Sequence, residues 1–153
     1  MSKAPRKPKR GARAPSMRKK ETQTTHLFVY GTLRKAVGHP MYRILDEYGI
    51  FEGMALFRGK LYDLGRFPGV VASGNATGRV IGEIYRLRPA AKALEQLDSY
   101  EGEQFRRERI SVRPNGKSAI RAWIYLYTGR VDSHSCIHSG DYVAFLNNSY
   151  PSF

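Results

Sequence analysis

Two features of this chain have residue types and spacings that could do chemistry. The first is Tyr30-Gly31-Thr32-Leu33-Arg34, which follows the apolar run Leu27-Phe28-Val29-Tyr30. Glycine permits a tight reversal in which successive backbone N–H groups turn toward one point. Such a concavity binds a carboxylate or phosphate through main-chain donors, and Arg34 and Lys35 would add positive potential. No Gly-Lys-Ser/Thr follows, so this is not a nucleotide phosphate loop. Taken alone, the segment also reads as an ordinary turn ending a strand. The second feature is Glu101. Leu94, Leu97 and Glu101 stand at i, i+3 and i+7, on one helix face. Lys92, Glu95 and Ser99 occupy the opposite one. An inward carboxylate at a helix C-terminus is pushed toward its neutral form by desolvation and by the helix dipole. Such a group suits general base or acid work near neutral pH. One residue of boundary error turns a side chain by ~100°, so spacing alone also allows a solvated residue at a fraying end.

Other candidates are weaker. Glu83, in Ile81-Gly82-Glu83-Ile84-Tyr85, shares a strand face with Tyr85 and Leu87. It reads as a buried, hydrogen-bonded structural acid or a partner to the site. Asp98 lies on the rim of the helix face. His134, Cys136 and His138 would share a face if extended, but a zinc centre needs further ligands at spacings this chain lacks. No metal site and no cofactor are expected. Cys136 would need an activated thiolate to act as a nucleophile, and an inert thiol is the simpler reading. His39 either meets an anionic substrate or caps the helix that Pro40 opens; His26 also stands near the loop. Tyr125 and Tyr127 face one way on their strand, as sheet packing or as a pocket wall.

These residues must be positioned by surrounding elements. The run 27–30 reads as a buried strand. Pro40 opens a short helix through Met41, Ile44 and Leu45, and Gly49 closes it. Strands are expected over 51–57, 60–63, 70–71 and 79–87, punctuated by glycines. Residues 89–100 form the clearest helix, with Pro89 in its first turn and Gly102 as its stop. Strands 105–113 and 120–128 pair as a hairpin around Pro114-Asn115-Gly116. A last helix is expected over 137–146. Many short strands with a few helices imply an α+β domain, a small mixed β-barrel with flanking short helices.

Composition sets the limits. The chain has 153 residues, 41% of them apolar, which is one core's worth. The net charge of +13 is uneven. Residues 1–25 carry nine Lys/Arg against Glu21, a net +8, with three prolines and no aromatic residue. They are expected to be a disordered basic tail, with residues 26–153 as the folded domain. Nucleic acid is a partner only through that tail, which has no aromatics to stack on bases. No stretch approaches the ~18–20 apolar residues of a membrane span. Cys136 is the single cysteine, so no internal disulfide can form. A cytoplasmic protein is expected.

The motifs also occur in a telling order. Phe28-Val29-Tyr30-Gly31-Thr32-Leu33-Arg34-Lys35 is followed by Phe67-Pro68-Gly69-Val70, then Gly82-Glu83-Ile84-Tyr85-Arg86-Leu87, then Leu97-Asp98-Ser99-Tyr100-Glu101-Gly102. Over roughly residues 27–128 the chain resembles the γ-glutamylcyclotransferase-like family, also called AIG2-like, which includes γ-glutamylamine cyclotransferases. The resemblance implies a small mixed β-barrel and a cofactor-free reaction. In that reaction the γ-glutamyl group of a small amine or peptide is released as 5-oxoproline. It also implies Glu101 as the catalytic acid, Tyr30, Gly31, Thr32 and Leu33 as the substrate loop, and a supporting place for Glu83. Where relatives often carry Tyr-x-Arg after the glutamate, this chain has Phe105-Arg106-Arg107. The alternative function is a non-catalytic small-ligand module of the same fold.

Overall fold

The strand that carries the loop is apolar on both faces, and the architecture explains why. A computed structural model describes residues 24–71 and 77–149. Strand β1 (Thr25–Val29) lies in a closed five-stranded barrel with the order β1-β5-β2-β6-β7. The others are β2 (Gly49–Arg58), β5 (Arg79–Leu87), β6 (Phe105–Pro114) and β7 (Ile120–Tyr127). β5 flanks β1 antiparallel, and β7 flanks it parallel, with Leu27 opposite Trp123. Phe28 and, from β5, Ile84 point into the barrel core with Ala55, Ile124 and Leu126. Leu27 and Val29 point outward, into a second core beneath the helices. A strand buried on both sides reads as a continuous apolar run.

That second core is covered by α1 (Arg43–Tyr48) and α2 (Ala90–Glu101). Ile44 and Leu45 of α1 meet Ala93 and Leu97 of α2 over Leu27, Val29, Tyr85 and Leu87. Each of the Leu, Ile and Val side chains contributes roughly 1.5–3 kcal/mol by leaving water. Pro40 opens a turn of 3₁₀ helix, Pro40–Tyr42, that runs straight into α1. Pro89 stands at the N-cap of α2 rather than inside it, so the helix runs one residue later than expected at both ends. Gly102 ends it at φ 79°, its N–H donating to the Asp98 carbonyl at 3.1 Å.

A small sheet of order β4-β3-β8 adds to the barrel: β3 (Lys60–Asp63), β4 (Pro68–Val71) and β8 (Cys136–Ile137). Leu61, Val70 and Ile137 from its three strands join the barrel core. The last helix, α3, spans Tyr142–Ser149, not 137–146. Ile137 is taken as a strand residue opposite Leu61. Gly140 then turns the chain at φ 70° where an added Cβ would strike the Arg79 carbonyl. Asp141 starts α3 by accepting from the N–H groups of Val143 and Ala144 at 3.1 and 3.2 Å. The hairpin expected over 105–128 is present as β6 and β7, joined by residues 115–119 with Gly116 at φ 69°.

The fold class is therefore as the sequence implies: α+β, a small mixed β-barrel with short flanking helices. Of the tail expected over residues 1–25, residues 1–23 lie outside the described residues, as do 150–153 at the domain's end. β1 already includes Thr25. No described helix is long and apolar enough to cross a membrane.

Gly82 is where β1 and β5 lie closest: an added Cβ would stand 2.5 Å from both the Val29 carbonyl oxygen and Phe28 Cζ. Neither can yield without moving the strand or the core. Gly82→Ala is expected to cost about 1–3 kcal/mol, read as a lowered urea midpoint with an unchanged m-value.

Candidate active site

Where β1 ends, residues 31–34 form a turn closed by the Arg34 N–H donating to the Gly31 carbonyl at 2.9 Å. Gly31 is not held in the left-handed region. It is glycine because Pro68 packs against it, with Pro68 Cγ only 2.7 Å from where a Cβ would stand. Among the described residues, the N–H groups of Gly31, Thr32 and Leu33 meet no protein acceptor. The turn is pinned at its start by Tyr30, whose hydroxyl donates to the Tyr125 carbonyl at 2.6 Å and accepts from the Val70 N–H at 3.2 Å. Burial, and secondarily the charge of Glu101, push the Tyr30 hydroxyl pKa up. Tyr30 is thus a neutral post tying β1 to β7 and β4.

Arg34 does not serve as the expected positive potential at the loop. It is 6% exposed, and two carboxylates hold its guanidinium. Nε donates to Glu83 Oε2 at 3.3 Å and Nη1 to Asp141 Oδ1 at 2.7 Å. Glu83, itself 5% exposed, also accepts at Oε1 from the Lys35 N–H at 3.1 Å and the Tyr85 hydroxyl at 2.9 Å. Register explains the reach: Glu83 lies opposite Val29, level with the end of β1. Glu83 is the buried structural acid that its strand position suggested. Burial opposes ionisation of Asp141, but the Arg34 hydrogen bond and the α3 N–H groups together hold its carboxyl below the usual range.

The end of α2 comes to the loop from the other side. Thr32 Oγ1 and the Tyr100 hydroxyl are 2.8 Å apart. Next to Tyr100, Glu101 is partly buried as the last helical residue. Desolvation pushes its carboxyl up to about 7. Its charge contributes to raising the pKa of Tyr30, Tyr100 and Tyr125, behind burial in each case. Glu101 therefore stands among three tyrosines. The inward reading of the helix spacing is what the structure shows.

One cavity of about 250 Å³ joins these parts. The loop residues Tyr30, Gly31, Thr32 and Leu33 and the helix residues Tyr100 and Glu101 all line it. Phe28, Phe67, Pro68 and Phe105 form an aromatic-rich wall. Glu101 and the four loop residues Tyr30, Gly31, Thr32 and Leu33 thus border a single space. Tyr100 was missed, although it stands three residues after Leu97, a spacing that already puts it on the packed face. Phe67 and Pro68 belong to one of the ordered motifs and Phe105 to the departure at residues 105–107, but no spacing links them; Phe67 and Phe105 meet, with ring centroids 5.7 Å apart, where β4 packs on β7.

Of the remaining candidates, Tyr125 also lines this cavity, as a pocket wall; the others lie elsewhere. Asp98 accepts from the Tyr125 hydroxyl at 2.7 Å and from both sides of Arg107 at 2.8 and 3.1 Å. These bonds outweigh burial and lower its pKa. Tyr127 packs as a ring 5.6 Å from Phe105. His39 caps: its Nδ1 accepts from the Met41 N–H at 3.0 Å. His26 pairs with Glu52 at 2.9 Å. His134 sits on a 3₁₀ turn, 92% exposed at its side chain, beside Asp132. Among the described residues no group of three or more His, Cys, Asp or Glu could hold a metal.

The loop's anchor can be tested directly. Arg34→Met would leave Glu83 buried without its cation and is expected to cost roughly 3–5 kcal/mol. Adding Glu83→Gln should regain part of this loss, as read by urea unfolding of both variants and the double-mutant cycle.

Comparison with known proteins agrees with the motif order. The family described as "Gamma-glutamyl cyclotransferase, AIG2-like" matches residues 27–144. The "Gamma-glutamylcyclotransferase family protein YtfP" of Escherichia coli (strain K12) is 34% identical over 119 residues, covering 76% of this chain and 95% of that one. The "Gamma-glutamylaminecyclotransferase" of Bos taurus is 31% identical over 112 residues, covering 65% of this chain and 63% of that protein. A crystal structure of an AIG2-like protein from Mus musculus superposes with a TM-score of 0.62 at 22% identity, over 78% of this chain and 88% of that one.

Proposed function

Because the chain belongs to the γ-glutamyl cyclotransferase, AIG2-like family, we propose that it cyclises the γ-glutamyl group of a small γ-glutamyl amine or peptide to 5-oxoproline. The observation that carries this reading is a single carboxyl, Glu101, raised to about 7 within the same cavity as the Gly31-Thr32-Leu33 amides. Those amides can receive the substrate's α-carboxylate. Glu101 then takes a proton from the α-ammonium. The freed amine attacks its own γ-carbonyl carbon, and the new C–N bond closes the five-membered ring. As the old amide bond breaks, Glu101 returns its proton to the departing nitrogen. The proton shed by the new lactam nitrogen ends on the released amine, so the overall charge is unchanged.

Intramolecular attack needs a held conformation and one proton shuttle, since proximity supplies much of the rate. A carboxyl that titrates near working pH can both accept and return a proton. The Thr32–Tyr100 hydroxyl contact favours the same roles, because it holds the end of α2 against the substrate loop. Phe105 stands where a tyrosine is expected, so no phenol at that position takes part. The cytoplasm is the proposed compartment, since the lone Cys136 leaves the fold without an internal disulfide.

Incubation with a panel of γ-glutamyl compounds, followed by chromatography for 5-oxoproline, tests the proposal. Glu101→Gln is expected to lower kcat by about 10²–10⁴-fold. Turnover by the wild type should rise with pH through an apparent pKa near 7. Ligand binding without product, unchanged by Glu101→Gln, would instead identify a non-catalytic module.

The same carboxyl predicts a stability signature. Its folded pKa is raised, so the stability tied to its neutral form is complete below about 4.5 and is lost as pH rises through about 7. Between these limits the wild type is expected to lose about 2–3 kcal/mol relative to Glu101→Gln, measured by urea unfolding at several pH values.

A further inference from the structure

Resting on the cyclotransferase reading, we propose that the substrate's leaving group is an uncharged, apolar alkyl or aryl amine, and that Phe105 is the residue setting this preference. Thirteen described residues line the cavity, and Glu101 is the only Asp, Glu, Lys, Arg or His among them. Two of the nearby cations are already paired. Arg34 is closed off by Glu83 and Asp141. Arg107 is held by both oxygens of Asp98 and lies 4.4 Å over the Trp123 ring.

Each charged part of a γ-glutamyl substrate therefore has one place to go. The α-carboxylate has the N–H groups of residues 31–33, and the α-ammonium has Glu101. A second carboxylate, on the leaving group, would enter the same small space with no cation to meet it, and with Glu101 repelling it. A cationic leaving group would compete with the α-ammonium for the one acid. Desolvating a charge without a partner is strongly unfavourable, so charge on the leaving group is selected against.

One wall of the lining, Phe67, Pro68 and Phe105, supplies what an apolar group needs. Phe67 and Phe105 stand with ring centroids 5.7 Å apart, and Phe105 packs in turn, tilted, against Tyr127 at 5.6 Å. Pro68 continues this wall to the loop by packing on Gly31. Phe105 heads β6, opposite Tyr127 in the hairpin. It offers neither a hydroxyl nor a charge to a polar leaving group. An alkyl chain or aromatic ring of the amine can lie against Phe67 and Phe105 with the geometry aromatic pairs favour.

The experiment uses γ-glutamyl-butylamide and γ-glutamyl-anilide as apolar probes, against γ-glutamyl-glycine and γ-glutamyl-ε-lysine as charged ones. Binding is measured by calorimetry on Glu101→Gln, and turnover as 5-oxoproline release by the wild type. The apolar probes should bind at least about tenfold tighter and show at least tenfold higher kcat/KM. Phe105→Arg should invert the order in favour of γ-glutamyl-glycine. If that variant does not fold by circular dichroism, Phe67→Lys tests the same wall. Equal or tighter binding of the charged probes overturns the leaving-group proposal, while 5-oxoproline from those probes would leave the cyclotransferase reading standing. An apolar preference in binding with no product from any probe supports the ligand class and overturns the catalytic reading. Binding of none of the four overturns both.

Discussion

A buried guanidinium cannot remain without partners, and around Arg34 that constraint organises the whole site. Stripping a cation of water costs several kcal/mol unless carboxylates and hydrogen bonds replace it. Arg34 finds Glu83 on β5 and Asp141 at the start of α3. Glu83 in turn fixes the Lys35 N–H and the Tyr85 hydroxyl, and Asp141 caps α3. One cation therefore binds the end of the loop to a barrel strand and to the C-terminal helix. At the loop's other end, the Tyr30 hydroxyl does the same for β7 and β4. Among the described residues, the N–H groups of the three residues between these anchors meet no protein acceptor.

The two cores divide the labour. The barrel interior fixes β1 between β5 and β7, so the loop emerges at a defined level. The outer core fixes α2 against the same strands through Ala93 and Leu97, so the helix ends beside that loop. Because both cores share β1, the position of the amides and the position of the carboxyl are set by one strand. Each core needs the other: β1 and β5 present apolar side chains on both faces, and neither face could be left in water.

Charge is distributed unevenly around the cavity, and that distribution separates the arginine-paired acids from Glu101. Glu83, Asp98 and Asp141 each face an arginine. Glu101 faces tyrosines and an aromatic wall. Hydrogen bonds from arginine hold Asp98 and Asp141 below the usual carboxylate range in spite of burial, whereas burial pushes Glu101 up to about 7. Groups whose environments push them apart in this way are where acid–base roles are found.

The sequence by itself determined the local elements and the two halves of the site. A continuous apolar run marks β1, alternation marks β5 and helical spacing marks α2, and the Leu97-to-Glu101 spacing already turns the carboxyl inward. α3 starts later than helical spacing implies, because Ile137 fits a helix and a two-residue strand equally well and the Asp141 cap sets the start. Tertiary structure decided the rest. Arg34 looked like a free cation beside the loop, but its partners lie 49 and 107 residues away. Gly31 looked like a conformational requirement, but the need comes from Pro68 across the cavity. Phe67 and Phe105 had no pattern linking them until the small sheet packed on the barrel. Spacing along a chain fixes which way a side chain points; which charge it meets, and what space it encloses, depend on contacts that only the closed fold creates.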